Sequence, residues 1–262
     1  MGGVGNLRLV GVADILTMSN GLCGLLAIFF FATRGSDITI GSALILMGFV
    51  FDGADGWAAR RFGTKHDFGR HLDSISDAIT FCAAPAAMVF VTFTGALEDI
   101  EGVPSRTTAI LDGLVLGTTL SIVTLGLTRL WRFTNEGYRH SDFSGLATPA
   151  MAFLAIMVCH ILNPVFDENQ TVMAQLTAVT ILGVASLLMV APVGYPKIGG
   201  RVGILFAIIV VAGLAFIGVL RVLDVGWTFT AYRAISILSL ALVTGYILLG
   251  PLYMSVTGSK DR

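Results

Sequence analysis

Asp52-Gly53-Ala54-Asp55-Gly56 and Asp73-Ser74-Ile75-Ser76-Asp77 bring four carboxylates into a chain that is otherwise strongly apolar. If residues 52–60 are helical, Asp52, Asp55, Gly56, Ala59 and Arg60 lie within about 140° of one another around the helix. If residues 69–77 are helical, Gly69, Asp73 and Asp77 stack one turn apart on a single face. Two helices that meet at these faces would gather the four carboxylates around one point.

Four carboxylates at one point predict bound divalent cations. Like charges repel strongly at such separations unless cations lie between them. A ligand set made only of oxygen favours Mg²⁺, Mn²⁺ or Ca²⁺ over zinc. Four carboxylates suit two ions with bridging ligands, an arrangement that serves in-line phosphoryl transfer. A buried ion-pair network is the structural alternative, but ionisable groups within membrane spans are costly and by default functional.

The composition is typical of a polytopic membrane protein. Of the 262 residues, 55% are hydrophobic and 13% are charged, and the mean hydropathy is +0.84; soluble domains rarely have such values. A helix needs about 20 apolar residues to span a bilayer. We expect spans at about 10–33, 38–61, 69–94, 109–131, 146–163, 172–191, 202–222 and 229–254. The cysteines lack metal-binding spacing and are expected in the core: Cys23, Cys82 and Cys159.

The distribution of Lys and Arg sets the expected orientation. If the loop between the second and third spans faces the cytoplasm, twelve of the 16 basic residues lie on that side and four on the other, in agreement with the positive-inside rule. The predicted fold is an all-α membrane helix bundle of about eight transmembrane helices, with both termini cytoplasmic. We expect one membrane domain over residues 1–262, with a core at about 10–191 and additional C-terminal helices at about 202–254. The aspartates would then face the cytoplasm from the cell membrane.

The spacing of the central stretch, D-x2-D-G-x2-A-R-x8-G-x3-D-x3-D, resembles the signature of the CDP-alcohol phosphotransferases, integral membrane enzymes that make phospholipid head groups. Every signature position is matched. The resemblance implies that Asp52, Asp55, Asp73 and Asp77 bind two divalent cations, Mg²⁺ or Mn²⁺. It also implies that Asp77 is the general base on the acceptor hydroxyl.

The same resemblance implies a site for the cytidine nucleotide and pyrophosphate of a CDP-linked lipid. A pyrophosphate is polyanionic, and metal ions together with an arginine can hold it. Arg60 would hold phosphate, and small residues would let the nucleotide approach the helix backbones. The expected nucleotide-binding set is Asn20, Asp55, Gly56, Ala59, Arg60 and Gly69.

Further stretches resemble the branch of that family that uses serine as acceptor. Residues 15–24 resemble its first-helix T-x2-N-x2-C-G segment. Residues 128–135 resemble its R-L-A-R-F-N segment, with Trp131 in place of the alanine and Thr134 inserted before the asparagine. Residues 143–150 resemble its F-x-G-L-P-x-P-A segment, and residues 188–197 resemble the end of its sixth helix.

These stretches predict transfer from a CDP-diacylglycerol or CDP-archaeol type lipid to L-serine. Arg129 and Arg132 would bind the acceptor carboxylate or the lipid phosphate, and membrane anchoring is the plainer alternative for them. A phosphorylated acceptor, inositol phosphate or glycerol 3-phosphate, is the alternative within the family. The alternatives outside the family are a transporter and a non-catalytic membrane scaffold. The resemblance also implies a homodimer within membrane lipid, and no nucleic-acid partner is expected.

Overall fold

The computed structural model describes residues 11–34, 38–62, 67–98, 104–136, 145–163, 168–195, 244–249 and 251. In these ranges the regular secondary structure is helical, joined by short turns such as 94–98 and 189–195, and there is no β-strand. The helices are α1 (Val12–Arg34), α2 (Thr39–Phe62), α3 (Asp67–Asp77), α4 (Ala84–Phe93), α5 (Ser105–Glu136), α6 (Thr148–Leu162) and α7 (Glu168–Leu188). Residues 244–249 are also helical.

Among the described residues, five helical segments are long and apolar enough to cross a membrane: Val12–Thr33, Thr39–Arg61, Gly69–Phe93, Ser105–Thr134 and Thr171–Leu188. They coincide with the first four and the sixth of the predicted spans, so the prediction of a membrane helix bundle is confirmed. The seventh predicted span, 202–222, lies outside the described residues, as do both chain termini. Of the eighth, only 244–249 and 251 are described.

Helix α6 is the fifth predicted span, and it is shorter than a bilayer crossing. Its 15 residues extend only about 22 Å at about 1.5 Å per residue. Almost every side chain from Met151 to Cys159 is buried, as expected of a helix that is apolar all round and lies in a core. Its sequence therefore reflects burial among the other helices rather than exposure to lipid.

The third span changes its helical geometry halfway along. Between α3 and α4 the backbone widens into a π-helical segment, Ala78–Ala83, which we call the π-turn. Pro85 lies in the first turn of α4, where its ring would clash with the carbonyl of Phe81, four residues earlier, in a regular α-helix. A wider turn directly before the proline relieves that clash.

Aromatic contacts and glycines set how closely the helices pack around the π-turn. The Phe49 ring of α2 lies 4.7 Å from the Phe81 ring of the π-turn and 6.2 Å from the Phe153 ring of α6. On the neighbouring face of α2, Gly41 makes room for Phe31 of α1, because a Cβ at residue 41 would lie 2.1 Å from that ring. The π-turn is thereby held between α1, α2 and α6.

Candidate active site

The aspartates of α2 and α3 meet as their spacing predicts. Carboxylate oxygens of Asp52, Asp55 and Asp73 all lie within 4.8 Å of one another. Asp77 lies one turn beyond Asp73, close enough to Asp52 and Asp73 to interact electrostatically with both. The cluster is partly buried, since Asp55 is only 6% exposed whereas Asp52 and Asp73 are of intermediate exposure. Three predicted site carboxylates thus share one point, and the fourth borders it.

Helix α1 donates side-chain hydrogen bonds to two of these carboxylates. The Thr17 hydroxyl donates a hydrogen bond to Oδ2 of Asp55 over 2.5 Å. The Asn20 side-chain amide donates to Oδ1 of Asp77 over 3.1 Å. Hydrogen bonds to a charged acceptor are stronger than those between neutral groups. Because both donors project from one helix, α1 fixes the rotation of Asp55 and Asp77 together.

The donor set fits hard divalent cations. Such ions take oxygen ligands at roughly 2.0–2.6 Å, so two ligand oxygens on opposite sides of one ion are about 4–5 Å apart. The 4.8 Å limit on the separations within the Asp52, Asp55 and Asp73 cluster matches that span. Three acids this close in a partly buried site repel one another unless a cation lies between them or one of them takes up a proton. The residues present are therefore compatible with divalent metal.

The predicted nucleotide-binding residues of α2 and α3 are neighbours of the aspartates along their helices. Arg60 is exposed, and its guanidinium folds back one turn, since a Cβ at Gly56 would lie 3.4 Å from Nη1. Gly56, Ala59 and Gly69 are partly exposed. This part of the site is open and has little side-chain bulk. Asn20, in contrast, is completely buried.

Arg129 of α5 reaches the same region. It lies close enough to Asp77 and Cys82 for electrostatic interaction, and its buried Nε has no hydrogen-bond partner within the described part of the chain. A buried guanidinium N–H without a partner is costly, and a carboxylate or phosphate would satisfy it. Arg132 instead points its Nη1 towards the Val190 carbonyl, 3.5 Å away.

The described parts of three stretches that resemble the serine-using branch meet at the end of α7: 128–135, 143–150 and 188–197. Besides the Arg132 contact, the Gly145 N–H donates to the Val193 carbonyl over 2.8 Å and the Leu146 N–H to the Leu188 carbonyl over 2.9 Å. Gly145 has a φ of +87°, and a Cβ there would lie 2.2 Å from the Met189 carbonyl oxygen, so only glycine fits. These segments form one unit beside Arg129.

Thr17 and Thr80 are site residues to which the sequence analysis gave no role. Thr17 belongs to the T-x2-N segment, and its spacing from Asn20 is the sequence feature that could have indicated a role in the site. Thr80 lies in the π-turn and donates its hydroxyl to the Asn20 carbonyl over 2.8 Å. A threonine within an apolar span is too common to indicate such a contact. The π-turn that orients it was not visible in the hydrophobic pattern.

Comparison with known proteins shows the family of this chain. A family model described as CDP-alcohol phosphatidyltransferase matches residues 10–256. The chain is 30% identical over 202 residues to a CDP-diacylglycerol–serine O-phosphatidyltransferase of Methanocaldococcus jannaschii, across 77% of this chain and 82% of that protein. It is 31% identical over 193 residues to an archaetidylserine synthase of Methanothermobacter thermautotrophicus, across 73% and 72%. A Bacillus subtilis CDP-diacylglycerol–serine O-phosphatidyltransferase is 29% identical over 182 residues, across 70% and 88%.

The chain therefore belongs to the CDP-alcohol phosphatidyltransferase family. It is a multi-pass membrane transferase of phospholipid synthesis. The resemblance drawn from the spacing of the aspartates is confirmed.

Proposed function

We propose that this protein transfers the phosphatidyl or archaetidyl group of a CDP-linked lipid to the hydroxyl of L-serine and releases CMP. The observation that carries the proposal is the cluster of Asp52, Asp55 and Asp73 within 4.8 Å, bordered by Asp77 and Arg129. The choice of serine is supported by the names of relatives that match most of the chain.

The four aspartates would hold two divalent cations, Mg²⁺ or Mn²⁺. When bound, these ions neutralise the pyrophosphate, make the lipid-side phosphorus electrophilic and stabilise the departing CMP. The chain's own contribution is to hold the ligands rigidly. Thr17 fixes Asp55 through its hydrogen bond, while α1, which packs against both α2 and α3, brings Asp52 and Asp73 together.

The open side of the cluster would bind the nucleotide. Gly56, Ala59 and Gly69 let the cytidine approach the helix backbones, and Arg60 would neutralise a phosphate oxygen. Because the Arg60 guanidinium already folds back over Gly56, it needs little rearrangement to face the pyrophosphate. Asp55 lies at the boundary between this nucleotide region and the metal-binding carboxylates.

Asp77 would act as the general base. Its Oδ1 accepts the Asn20 amide hydrogen bond, and we assign Oδ2 to the serine hydroxyl. As the proton moves to Asp77, the serine oxygen bonds to the lipid-side phosphorus, and the bond from that phosphorus to the oxygen of CMP breaks. A positioned base of this kind contributes about 10²–10⁴-fold to a rate.

Arg129 would select the acceptor. A guanidinium N–H near Asp77 that no described residue satisfies suits a small acceptor that carries a carboxylate next to its hydroxyl, and serine has that chemistry. A phosphorylated acceptor would bring more negative charge. Arg139 and Lys197, which the sequence offers for that charge, lie outside the described residues. Arg132 of α5 would support the acceptor region through its contact with the Val190 carbonyl at the end of α7.

We assign the site to the cytoplasmic face of the cell membrane because of the positive-inside bias. Arg60 and Arg61 end α2 just beyond the aspartates, so the cluster would lie near the membrane surface, where serine has access. The homodimer stays a prediction from the family resemblance. Light scattering of the purified protein with a detergent correction would test it.

The experiment that tests the proposed function is CMP release by the purified protein. It receives a CDP-lipid, Mg²⁺ or Mn²⁺, and one acceptor at a time. Release that requires serine and is abolished by a chelator supports the proposal. Release only with inositol phosphate or glycerol 3-phosphate would overturn serine as acceptor. Parallel reactions with CDP-diacylglycerol and CDP-archaeol identify the lipid.

A further inference from the structure

Asn20 is completely enclosed by protein. It is 0% exposed, and its Nδ2 donates to Asp77. Its Oδ1 faces α2, where a Cβ at Gly48 would lie 2.9 Å from it, and this oxygen has no hydrogen-bond partner among the described residues. Burying an unsatisfied amide oxygen is costly, so an apolar residue would serve better if packing were the only requirement. The hydrogen bond to Asp77 is the compensating interaction.

Thr80 holds the main chain of the same residue. Its side chain is 0% exposed, and its hydroxyl donates to the Asn20 carbonyl over 2.8 Å. Two glycines form the socket around it. A Cβ at Gly24 would lie 2.7 Å from the Thr80 Cα, and a Cβ at Gly48 would lie 2.5 Å from its Cγ2. Thr80 therefore has no room to rotate or withdraw.

The π-turn links these two contacts. It begins directly after Asp77, so residues 77 and 80 belong to one continuous segment, and both are bonded to Asn20. The side-chain amide of Asn20 donates to Asp77, and its main-chain carbonyl accepts from the Thr80 hydroxyl. Two hydrogen bonds to one residue fix both the distance and the rotation of Asp77 relative to α1.

We propose that Asn20 is a positioning residue for Asp77 and that Thr80 acts through Asn20 to the same end. The proposal rests on the proposed function, in which Asp77 takes the proton of the serine hydroxyl. With Oδ1 held by the Asn20 amide, Oδ2 is presented to the acceptor in one orientation. This role differs from the nucleotide contact that the sequence predicts for Asn20, because positioning affects kcat whereas a nucleotide contact affects CDP-lipid binding.

The test compares Asn20→Ala, Thr80→Val and Thr80→Ser in the full-length purified protein. Thr80→Val removes the hydroxyl and keeps the shape, whereas Thr80→Ser keeps the hydroxyl. Thr92→Val is the matched control, since the Thr92 hydroxyl is also buried in this span but donates to the Met88 carbonyl of its own helix. The measurements are kcat, KM for the CDP-lipid and for serine, and the Kd of CDP with Mn²⁺ by calorimetry.

We expect kcat to fall about 10²-fold in Asn20→Ala and about 10-fold in Thr80→Val, because small displacements of a catalytic group have costs of this order. The KM for the CDP-lipid and the Kd of CDP should stay within about threefold of wild type, since the nucleotide region is unchanged. Thr80→Ser should regain most of the activity, and Thr92→Val should behave as wild type.

Three results would overturn the positioning role. The first is an increase in the KM for the CDP-lipid and in the Kd of CDP at unchanged kcat, which would make Asn20 a nucleotide ligand. The second is a Thr80→Ser protein as impaired as Thr80→Val, or loss of CDP binding by both, which would make Thr80 purely structural. The third is unchanged kinetics in Asn20→Ala. Failure of the wild-type protein itself to release CMP with serine would instead overturn the proposed function.

Discussion

Asp52 and Asp77 belong to the same cluster but should respond differently to the same substitution. Asp52→Asn weakens a predicted metal ligand, so we expect it to abolish both turnover and metal-dependent CDP binding. Asp77→Asn should lower kcat by at least about 10²-fold and keep more CDP binding than Asp52→Asn, because its main role is to take a proton. CMP release and calorimetric titration with CDP and Mn²⁺ measure the two effects.

Asp112→Asn is a suitable control for both variants. Asp112 lies on α5 and accepts a hydrogen bond from the Gly95 N–H, at the end of the span opposite to the cluster. The Asp112→Asn substitution should leave CDP binding unchanged. Near-full activity of Asp77→Asn would show that another group takes the proton.

Arg129 provides the second prediction for a single residue. Arg129→Gln should raise the KM for serine by at least about 10-fold, since charge-assisted bonds to a carboxylate contribute about 1.5–3 kcal/mol. The KM for the CDP-lipid should change little. Arg132→Gln should have the weaker effect, because its Nη1 is directed at the Val190 carbonyl. Steady-state kinetics with each substrate varied in turn measures both constants.

The opposite pattern would change the assignment of Arg129. If its substitution raised the KM for the CDP-lipid and not that for serine, Arg129 would hold the lipid phosphate. Both roles are compatible with the sequence. The proximity of Arg129 to Asp77 is the reason for proposing the acceptor carboxylate as its ligand.

At the scale of whole helices, the approach of α1 to the π-turn depends on Gly24. A Cβ at this position would lie 2.7 Å from the Cα of Thr80, which is backbone and cannot move aside. Gly24→Ala should therefore destabilise the protein by about 1–3 kcal/mol, the usual cost of overpacking. A lower Tm in detergent and lower serine-dependent activity would be measured together.

Gly113→Ala and Gly117→Ala are matched controls for Gly24→Ala. These glycines lie on α5, and a Cβ at either position would meet nothing within 4 Å among the described residues. Alanine favours a helix over glycine by up to about 1 kcal/mol, so Tm should stay constant or rise. A drop in Tm with either control would mean that residues outside the described ranges, or the second subunit of the predicted homodimer, pack closely against this face.

How far the sequence predicted each element depended on whether local pattern or tertiary contact determines it. The shared face of Asp52 and Asp55 followed from their spacing, because a 3.6-residue period is a property of each helix alone, whereas the approach of Asp73 from α3 is a tertiary contact that the family resemblance implied. The π-turn was not predicted, because it depends on Pro85 and on the glycines that pack against Thr80. Hydropathy likewise placed α6 correctly but could not distinguish a short core helix from a lipid-facing span.

At the scale of the whole molecule, the helices enclose the aspartates near one end of the bundle. Arg60 and Arg61 end α2 at this side, whereas α5 begins with Ser105 at the far end of the preceding span. A membrane protein keeps the side that is rich in Lys and Arg in the cytoplasm. The position of the site in the bundle and the charge pattern therefore predict the same orientation, with the aspartate cluster at the cytoplasmic side.

Cysteine labelling tests that orientation. Arg61 and Ser105 are both exposed, and the native Cys23, Cys82 and Cys159 are buried, so the unsubstituted protein is the background control. A membrane-impermeant maleimide should label Ser105→Cys in intact cells, because the reaction requires an accessible thiolate. Arg61→Cys should react only after the membrane is permeabilised. The reverse pattern would place the aspartate cluster on the outer face, away from cytoplasmic serine, and would contradict the proposed orientation without affecting family membership.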